Sequence, residues 1–477
     1  MQLLIEKRSK LIVTLGPASS DYDTLKKMVL AGATAIRANF SHGNRKEQLK
    51  KFDLARKVSK EFNVPISIIL DTKGPEIRIG KMRDGAQEIK KEAIITLITD
   101  PNKFSSLEGT DKEIAVSYDM SKDVKPGDLI LFDDGKLQAL VLETKKNNVI
   151  IKTINQHKLI TNKRINLPGV DFSLPFLSEK DKDDIAFGVK HGINYVAASF
   201  VNSAKNVREL RDYLNSIDGE HVKIISKIES DLGIKNIDEI IRETDALMIA
   251  RGDLGLEINF YDVPVQEKFM IRKCREAGKP VIVATQMLDS MEHSPNPTRA
   301  EVTDVFYATE LGADSTMLSG ESATGLFPVK TVEVMSQINK RAENEFYNTA
   351  YYDDQLEQIR KNSDRNFDHS RVAYRVANRA RYGEYRFTIV LSDTGRLLSE
   401  VAKFRPNTII IGIINDEKLI NSFGVTYGVW NSVDSKKLFK KIKRDFKYAK
   451  DALKPYNVEK GEKFLIVEQG NVLEMTV

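Results

Sequence analysis

Cysteine is almost absent from this chain of 477 residues, in which Cys274 stands alone. A single cysteine cannot form a disulfide within the chain, and it excludes a zinc site built from cysteine ligands. The six histidines are scattered and form no pair with metal-ligand spacing. A metal site would therefore depend on oxygen ligands, which suit Mg²⁺ or Mn²⁺ better than zinc.

Long apolar runs and a large excess of one charge are also missing. No run of about 18 uncharged apolar residues occurs, and the first ten residues contain no apolar core of the signal-peptide type. We therefore expect a cytoplasmic protein without membrane contact. The 73 Lys and Arg residues are interleaved with 68 Asp and Glu residues. This balance excludes a polybasic nucleic-acid scaffold, whereas the net charge of +5 suits phosphorylated substrates.

Short β-rich apolar runs alternate with longer helix-patterned segments. Most of these runs are continuously apolar, as expected for strands buried on both faces of a parallel sheet. The eight predicted strands are Lys10–Gly16, Ala33–Phe40, Val64–Asp71, Tyr195–Phe200, Lys223–Glu229, Ala246–Asp253, Pro280–Gln286 and Asp314–Gly320. Eight strand-plus-helix units predict a (β/α)8 TIM barrel, an α/β fold.

The spacing of these units predicts two further domains. Residues 73–166 contain short β-runs separated by the turn signals DG, PGD, DDG and KNN, which indicates a β-rich lid inserted into the barrel. The last third of the chain alternates helices with three predicted strands, which indicates an open α/β domain. These strands are Phe387–Ser392, Thr408–Ile414 and Phe464–Glu468. We predict a barrel of residues 1–72 and 167–340, a lid of residues 73–166 and a C-terminal domain of residues 341–477. The polar segment 362–368 is predicted to be a linker.

Charged residues follow two neighbouring barrel strands. Lys227 and Glu229 lie at the end of the predicted fifth strand, and Asp253 lies at the end of the predicted sixth. Catalytic groups of such barrels lie at the carboxyl ends of the strands, and two carboxylates suit Mg²⁺ or Mn²⁺. The alternative is that each carboxylate is paired with a nearby base. Lys227 could be a Schiff-base nucleophile, a fixed charge beside phosphoryl or enolate oxygen, or a salt-bridge partner.

Polar residues at other strand ends leave similar choices. Arg37, Asn39 and Ser41 alternate onto one face, which suits a phosphate or cation site or a capped strand-to-helix turn. Three further residues, which could orient substrate and relay protons or simply pack the barrel mouth, are Thr285, Ser319 and Glu321.

Taken together, these motifs resemble one family. In order they are RANFSHG, DTKGPEIR, INLPGVD, LSEKD, VAASFV, IISKIES, ARGDLGLEI, ATQML, PTRAE and MLSGESATG. This series resembles the pyruvate kinases. The resemblance implies a barrel with a β-rich lid after the third strand and an α/β C-terminal domain. It also implies transfer of a phosphoryl group from phosphoenolpyruvate to ADP, the last step of glycolysis, and a homotetramer.

The resemblance also implies roles for individual residues. Glu229 and Asp253 match the ligands of the divalent metal, Mg²⁺ or Mn²⁺. Arg37 and Lys227 match the residues that contact the phosphoryl group, and this role needs a charged lysine, which argues against the Schiff base. The remaining substrate contacts match the backbone of Gly252 and Asp253 together with Thr285, and the proton-relay region matches Ser319 and Glu321.

Two further sets follow from the resemblance. The potassium site matches Asn39, Ser41, Asp71 and Thr72, and Glu76 is the residue type of potassium-dependent members. The nucleotide phosphates match the positions of Arg78, Lys163 and His42, beside Asn39. The sequence departs from the family at Arg164 and Ile165, where Gly-Val is usual, so we expect a different return from the lid. The other functions considered are a metal-dependent aldolase or lyase acting on pyruvate-type enolates, and a non-catalytic paralogue.

The C-terminal domain predicts an unusual regulation. The segment SDTGRLL has Leu397 where members regulated by sugar phosphates usually have Ser or Thr, and the ending NVLEMTV has no glycine-rich effector loop. We therefore predict that saturating fructose 1,6-bisphosphate leaves the apparent affinity for phosphoenolpyruvate unchanged in steady-state kinetics. A several-fold increase in that affinity would contradict the prediction.

Overall fold

The chain begins with three strands of a barrel. In the computed structural model, which describes residues 7–171, 173–348, 350–362 and 368–477, the strands are β1 (Lys10–Thr14), β2 (Ala35–Asn39) and β3 (Ser67–Asp71). The helices between them are α1 (Tyr22–Leu30) and α2 (Arg45–Phe62). Every residue of β1 and β3 is buried, as expected for strands covered on both faces. A capping box formed by Asn44 and Glu47 fixes the start of α2 and therefore the turn after β2.

The chain then leaves the barrel and forms the lid. Its strands are β4 (Ile77–Arg78), β5 (Ala86–Ile89), β6 (Ile94–Ile98), β7 (Glu113–Ala115), β8 (Leu129–Phe132), β9 (Leu137–Lys145), β10 (Asn148–Thr153), β11 (His157–Ile160) and β12 (Arg164–Asn166). Seven of them form one sheet in the order β4-β12-β8-β9-β10-β6-β7, and β11 pairs with β5. Apolar side chains of these strands pack into a core separate from that of the barrel. The lid therefore has its own source of stability.

Five more strands complete the barrel. They are β13 (Tyr195–Ala198), β14 (Lys223–Ile228), β15 (Ala246–Ala250), β16 (Val281–Ala284) and β17 (Ser315–Leu318). The helices around them are α3 (Glu179–Lys190), α4 (Ala204–Ser216), α5 (Asp231–Lys235), α6 (Ile237–Glu243), α7 (Arg251–Glu257), α8 (Val263–Ala277), α9 (Arg299–Glu310) and α10 (Gly320–Ala323). The strands close in the order β1-β17-β16-β15-β14-β13-β3-β2. The predicted eight-stranded barrel is confirmed.

The C-terminal part is an open sheet flanked by helices. The helices are α11 (Pro328–Asn348), α12 (Ala350–Asn362), α13 (Asp368–Arg379), α14 (Arg396–Lys403) and α15 (Ser435–Arg444). The strands are β18 (Phe387–Ser392), β19 (Ile409–Ile414), β20 (Val429–Asn431), β21 (Lys463–Glu468) and β22 (Asn471–Thr476), in the order β20-β19-β18-β21-β22. Residues 363–367 of the predicted linker lie outside the described residues. Within the described ranges, no helix has the length and apolarity needed to cross a membrane.

A loop of the C-terminal domain closes the base of the barrel. Val425 is fully buried among the side chains that fill the barrel interior. The Tyr195 hydroxyl donates a hydrogen bond to the Ser422 carbonyl at 2.6 Å, and the Ser315 hydroxyl donates one to the Val425 carbonyl at 3.0 Å. The amino-terminal ends of the strands are therefore covered, and substrate has to approach the carboxyl ends.

A buried ion pair joins the same two parts of the chain. The Arg405 guanidinium donates two hydrogen bonds to the Asp314 carboxylate, at 3.0 and 2.7 Å. The two side chains are 4% and 6% exposed. Asp314 precedes β17, whereas Arg405 follows α14, so this pair holds the C-terminal domain against the barrel.

Replacing Arg405 by methionine is expected to lower the free energy of unfolding by about 3–5 kcal/mol, because the Asp314 carboxylate stays buried without its counter-ion. Urea unfolding followed by circular dichroism measures this change. Lys26→Met is the control, since Lys26 and Glu61 form an exposed pair at 3.1 Å, and its cost should be about 1 kcal/mol or less. Equal losses in the two variants would contradict the prediction.

Candidate active site

Polar side chains of three barrel strands meet at one rim. Arg37 and Asn39 lie at the end of β2, Asp71 is the last residue of β3, and Lys227 is the penultimate residue of β14. Asn39 and Asp71 are directly paired in the parallel register of β2 and β3. Because parallel strands end at the same rim, residues distant in sequence become neighbours, as the barrel prediction required.

The Lys227 ammonium is buried at the centre of this rim. The residue is 8% exposed, and its Nζ donates hydrogen bonds to Ser199 Oγ at 2.8 Å and to Asp71 Oδ1 at 3.1 Å. Glu229 Oε1 also lies 3.1 Å from Nζ. Burial acts to lower the pKa of Lys227, but Asp71 and Glu229 outweigh it and raise the pKa above its ordinary value. Lys227 is therefore a fixed positive charge.

Asp71 holds a second cation beside the first. Arg37 Nε donates a hydrogen bond to Asp71 Oδ2 at 2.5 Å, and Arg37 Nη1 donates one to Thr14 Oγ1 at 3.1 Å. Burial opposes ionisation of Asp71, but Arg37 and Lys227 outweigh it and lower the pKa of this carboxyl. One buried carboxylate thus positions two cations. Such a pair can bind the oxygens of a phosphoryl group.

Glu229 is held by a strained turn of the backbone. Its Oε2 accepts a hydrogen bond of 2.6 Å from the amide of Phe200. Phe200 has a φ of 56°, in the left-handed region that a bulky residue seldom adopts. Burial raises the pKa of Glu229 above its ordinary value, although Lys227 opposes this shift. The turn after β13 therefore directs an amide at a carboxylate that is costly to bury.

Asp253 lies in the first turn of α7 and not in a strand. The predicted strand Ala246–Asp253 is wrong in its last three residues, because β15 ends at Ala250 and α7 begins at Arg251. Arg164 Nη1 donates a hydrogen bond of 2.5 Å to Asp253 Oδ1. Burial opposes ionisation of Asp253, but Arg164 and Lys227 outweigh it and lower the pKa. The first turn of a helix also favours an anionic side chain.

Glu229 and Asp253 form a donor pair suited to a divalent cation. The charge of Asp253 contributes to the raised pKa of Glu229, so the two carboxylates lie close enough to interact. The part of the chain that the structure describes contains no group of three or more His, Cys, Asp or Glu residues that could hold a metal. Two carboxylates completed by substrate oxygens are typical of Mg²⁺ and also suit Mn²⁺. The residues present therefore fit the expected metal.

Backbone and hydroxyl groups meet beside this pair. The Gly252 amide donates a hydrogen bond to Thr285 Oγ1 at 2.7 Å. A Cβ atom at Gly252 would lie 3.3 Å from the same oxygen, so glycine permits this close approach. Thr285 has a φ of 71°, another left-handed residue at the end of a strand. The structure thus brings together the three predicted carboxylate-binding positions, Gly252, Asp253 and Thr285.

Two residues that support the site were not predicted as site residues. The Ser199 hydroxyl accepts the hydrogen bond from Lys227 and donates one to the Thr72 carbonyl at 2.9 Å. Arg251 contacts both carboxylate oxygens of Asp304, at 2.5 and 2.6 Å, and donates to the Thr285 carbonyl at 2.9 Å. Ser199 lies in the motif VAASFV and Arg251 lies in the motif ARGDLGLEI. The motifs therefore indicated the right segments, but they did not indicate these contacts.

The predicted potassium ligands lie at the ends of β2 and β3. Asn39 Oδ1 accepts a hydrogen bond from the Ser41 amide at 3.0 Å, and Thr72 Oγ1 accepts one from the Ser199 amide at 3.1 Å. Asp71 immediately precedes Thr72 in the chain and is paired with Asn39 in the register of β2 and β3. These groups offer oxygen atoms, the ligand type of hard cations.

The predicted nucleotide residues are divided between lid and barrel. Arg78 lies in β4 and donates two hydrogen bonds to Glu76 Oε2, at 3.1 and 2.8 Å. Lys163 precedes β12, and its Nζ lies 2.7 Å from Asp133 Oδ1. Because β4 pairs with β12, Arg78 and Lys163 are close within the lid. His42 is exposed in the barrel turn after β2.

Glu321 connects two loops at the barrel mouth. Its carboxylate accepts hydrogen bonds from the Leu288 amide at 3.2 Å and from the Ser319 amide at 2.7 Å. Burial raises the pKa of Glu321 above its ordinary value. Ser319 caps α10. The structure therefore places the two predicted relay residues together, between the loops that follow β16 and β17.

Comparison with known proteins points to one family. Residues 6–332 match the family model described as pyruvate kinase, barrel domain. A curated pyruvate kinase of Mycoplasma pneumoniae is 39% identical in an alignment 486 positions long, and the alignment covers 94% of each chain. That of Mycoplasma genitalium is 41% identical in an alignment 463 positions long, and the alignment covers 89% of each chain.

The solved structures agree with the sequence relatives. The crystal structure of a pyruvate kinase from Cryptosporidium parvum matches 99% of this chain and 96% of its own, with a TM-score of 0.89 and 31% identity. The shared fold therefore extends beyond the barrel to the lid and the C-terminal domain. By its sequence over the barrel and its fold from end to end, the chain belongs to the pyruvate kinase family.

Proposed function

We propose that this chain transfers the phosphoryl group of phosphoenolpyruvate to ADP and yields ATP and pyruvate. The observation that carries the proposal is the buried Lys227 ammonium, held by Asp71 beside the Arg37 guanidinium at the barrel mouth. Phosphoryl transfer asks a protein for positioning and for stabilisation of negative charge more than for covalent chemistry. Two fixed cations in a water-poor rim supply both.

In the proposed site, side-chain carboxylates would bind the metal and backbone amides would bind the carboxylate of the substrate. Glu229 and Asp253 would hold Mg²⁺ or Mn²⁺, which when bound supplies positive charge to the phosphoryl oxygens. The amides of Gly252 and Asp253, with the Thr285 hydroxyl, would bind the substrate carboxylate. The 2.7 Å hydrogen bond from the Gly252 amide to Thr285 Oγ1 supports this assignment, because it shows that these groups lie next to each other.

The reaction would proceed in two steps. In the first, the bond from phosphorus to the enol oxygen breaks while a β-phosphate oxygen of ADP bonds to phosphorus, and Arg37 and Lys227 donate hydrogen bonds to the phosphoryl oxygens. In the second, Lys227 stabilises the enolate oxygen while the terminal carbon accepts a proton. We assign the delivery of that proton to the region of Ser319 and Glu321, and the raised pKa of Glu321 supports the choice.

Potassium and nucleotide would occupy the adjoining sets. Asn39, Ser41, Asp71 and Thr72 would bind K⁺ through oxygen atoms, as their position at two adjacent strand ends supports. The phosphates of ADP would contact the basic residues Arg78, Lys163 and His42. Closure of the lid over the barrel mouth would exclude water that could otherwise accept the phosphoryl group.

The other two functions find less support. A metal-dependent aldolase or lyase is disfavoured by the inserted lid and by the segment DTKGPEIR, which that function does not require. A non-catalytic paralogue would not need Arg37, Lys227 and both metal carboxylates together.

We extend the proposal to a homotetramer in the cytoplasm. Support for assembly comes from the apolar side chains of Phe260, Tyr261 and Val265, which are 78%, 65% and 63% exposed.

Lys227→Met is expected to lower kcat by about 10²–10³-fold or more, because it removes a charge that stabilises the transferred group. The assay contains phosphoenolpyruvate, ADP, Mg²⁺ and K⁺ and measures pyruvate and ATP. Mn²⁺ binding should persist, since Glu229 and Asp253 remain.

Lys223→Met is the matched control for this variant. Lys223 lies at the opposite end of the same strand, where its Nζ donates a hydrogen bond to the Ser422 carbonyl at 2.8 Å. We expect this variant to retain the kcat of the unchanged protein. Absence of turnover in the unchanged protein, or normal turnover after Lys227→Met, would refute the proposed function.

Replacing K⁺ by tetramethylammonium at constant ionic strength should lower turnover at least about tenfold, which equals about 1.4 kcal/mol of transition-state stabilisation. The reason is that the oxygens of Asn39, Ser41, Asp71 and Thr72 lose the cation they would bind. The initial rate at saturating substrates measures this effect. Equal rates with the two cations would exclude a required potassium site.

A further inference from the structure

Arg164 links the lid to the proposed metal site. It is the first residue of β12, which lies between β4 and β8 in the lid sheet. Its Nη1 lies 2.5 Å from Oδ1 of Asp253 in α7 of the barrel. A lid residue therefore contacts a carboxylate that the proposed function assigns to the divalent cation.

The surroundings of this guanidinium are buried and anionic. The Arg164 side chain is 16% exposed, and its guanidinium carbon lies 4.9 Å from the centre of the Phe200 ring. Burial acts to lower the pKa of Arg164, but Asp253, Glu229 and Glu76 outweigh it and raise the pKa. The guanidinium thus responds to both proposed metal ligands.

One edge of the guanidinium is unused. Nη2 of Arg164 is buried, and it has no hydrogen-bond partner among the residues that the structure describes. A buried donor without a partner is costly, and a purely structural ion pair would be expected to satisfy it. The Arg164 guanidinium would therefore be stabilised by moving to a position in which Nη2 has a hydrogen-bond partner.

The charges around Glu229 and Asp253 determine what has to happen when a divalent cation binds there. The carboxylates of Glu229 and Asp253 are contacted by two cations, Lys227 and Arg164. A divalent cation added to this group would create a local excess of positive charge unless one of the two cations leaves. Lys227 is fixed by Asp71 and Ser199 as well. Arg164 is held to the barrel through Asp253, so it is the cation that can leave.

We infer that Arg164 is an internal counter-cation that competes with the divalent metal for Asp253 and must withdraw before the metal binds. This inference rests on the proposed function for the location of the metal site. It makes Arg164 a residue that sets the metal affinity. It also couples metal entry to release of the lid strand, because the same contact joins β12 to α7.

The test measures Mn²⁺ binding to the full chain without phosphoenolpyruvate or nucleotide, by the electron paramagnetic resonance signal of free Mn²⁺. Arg164→Gln should bind Mn²⁺ at least about tenfold more tightly than the unchanged protein, near the lower end of the coupling between close charge pairs. An unchanged or weaker affinity in this variant would overturn the inference.

The matched control is Arg208→Gln. Arg208 also donates to a carboxylate, Glu243, at 2.8 Å, but the two side chains are 57% and 39% exposed on the outside of the barrel. Its Mn²⁺ affinity should equal that of the unchanged protein. If this variant tightens binding as much as Arg164→Gln does, the effect is one of net charge and the inference fails.

A second variant covers the case in which Arg164→Gln does not fold. Arg164→Lys keeps the charge but replaces the planar guanidinium by a shorter, more hydrated ammonium. Mn²⁺ binding at least twofold tighter than in the unchanged protein supports the inference, and unchanged or weaker binding overturns it. The rise in melting temperature that Mn²⁺ produces should be larger in either variant, because tighter binding stabilises the folded state more.

Glu229→Gln separates this inference from the proposed function. Combined with Arg164→Gln, it should abolish the gain in Mn²⁺ affinity, and a gain that persists would overturn the inference. Turnover of phosphoenolpyruvate and ADP by the unchanged protein is measured independently. If the unchanged protein turns over its substrates but Arg164→Gln does not change the Mn²⁺ affinity, only the inference is refuted. If Arg164→Gln binds Mn²⁺ more tightly but the unchanged protein shows no turnover, the inference is supported and the proposed function is refuted.

Discussion

The burial of the Lys227 ammonium is the constraint on which the rest of the site depends. A charged group removed from water has to regain its lost interactions from protein oxygens, or it loses its charge. Asp71, Glu229 and Ser199 provide those oxygens. They come from the end of β3, the residue that follows β14 and the turn after β13. The site can therefore exist only when the neighbouring strands β14, β13 and β3 have paired.

The same oxygens then organise the neighbouring groups. Asp71 is anionic because Arg37 and Lys227 both contact it, and it keeps these two cations adjacent. The Glu229 carboxylate accepts a hydrogen bond from the Phe200 amide. Phe200 has a left-handed backbone conformation, and its cost is offset because the buried carboxylate needs that donor. A few mutual contacts thus account for burial, charge and backbone strain together.

Much of the fold could be predicted from the sequence, because buried parallel strands are continuous apolar runs that differ from amphipathic helices in length and period. Local pattern failed where structure changes abruptly: Asp253 was placed in a strand because α7 begins one residue after β15. The strands β20 and β22 were missed because they lie at the two edges of their sheet and are largely short or exposed. Site residues at strand ends followed from barrel geometry and from the family motifs. The contact between Arg164 and Asp253 could not be predicted, since it depends on how the lid lies over the barrel.

The loop that closes the base of the barrel has a consequence for synthesis. Val425 completes the side-chain packing inside the barrel, yet it follows the end of the last barrel strand, Leu318, by 107 residues. Domains of growing chains generally fold in order from the amino terminus. In this chain the side-chain packing inside the barrel is completed only by Val425, so it needs most of the C-terminal domain to have been synthesised. Chains that stop early in translation would therefore expose an apolar barrel floor, which makes them ready substrates for chaperones and proteases.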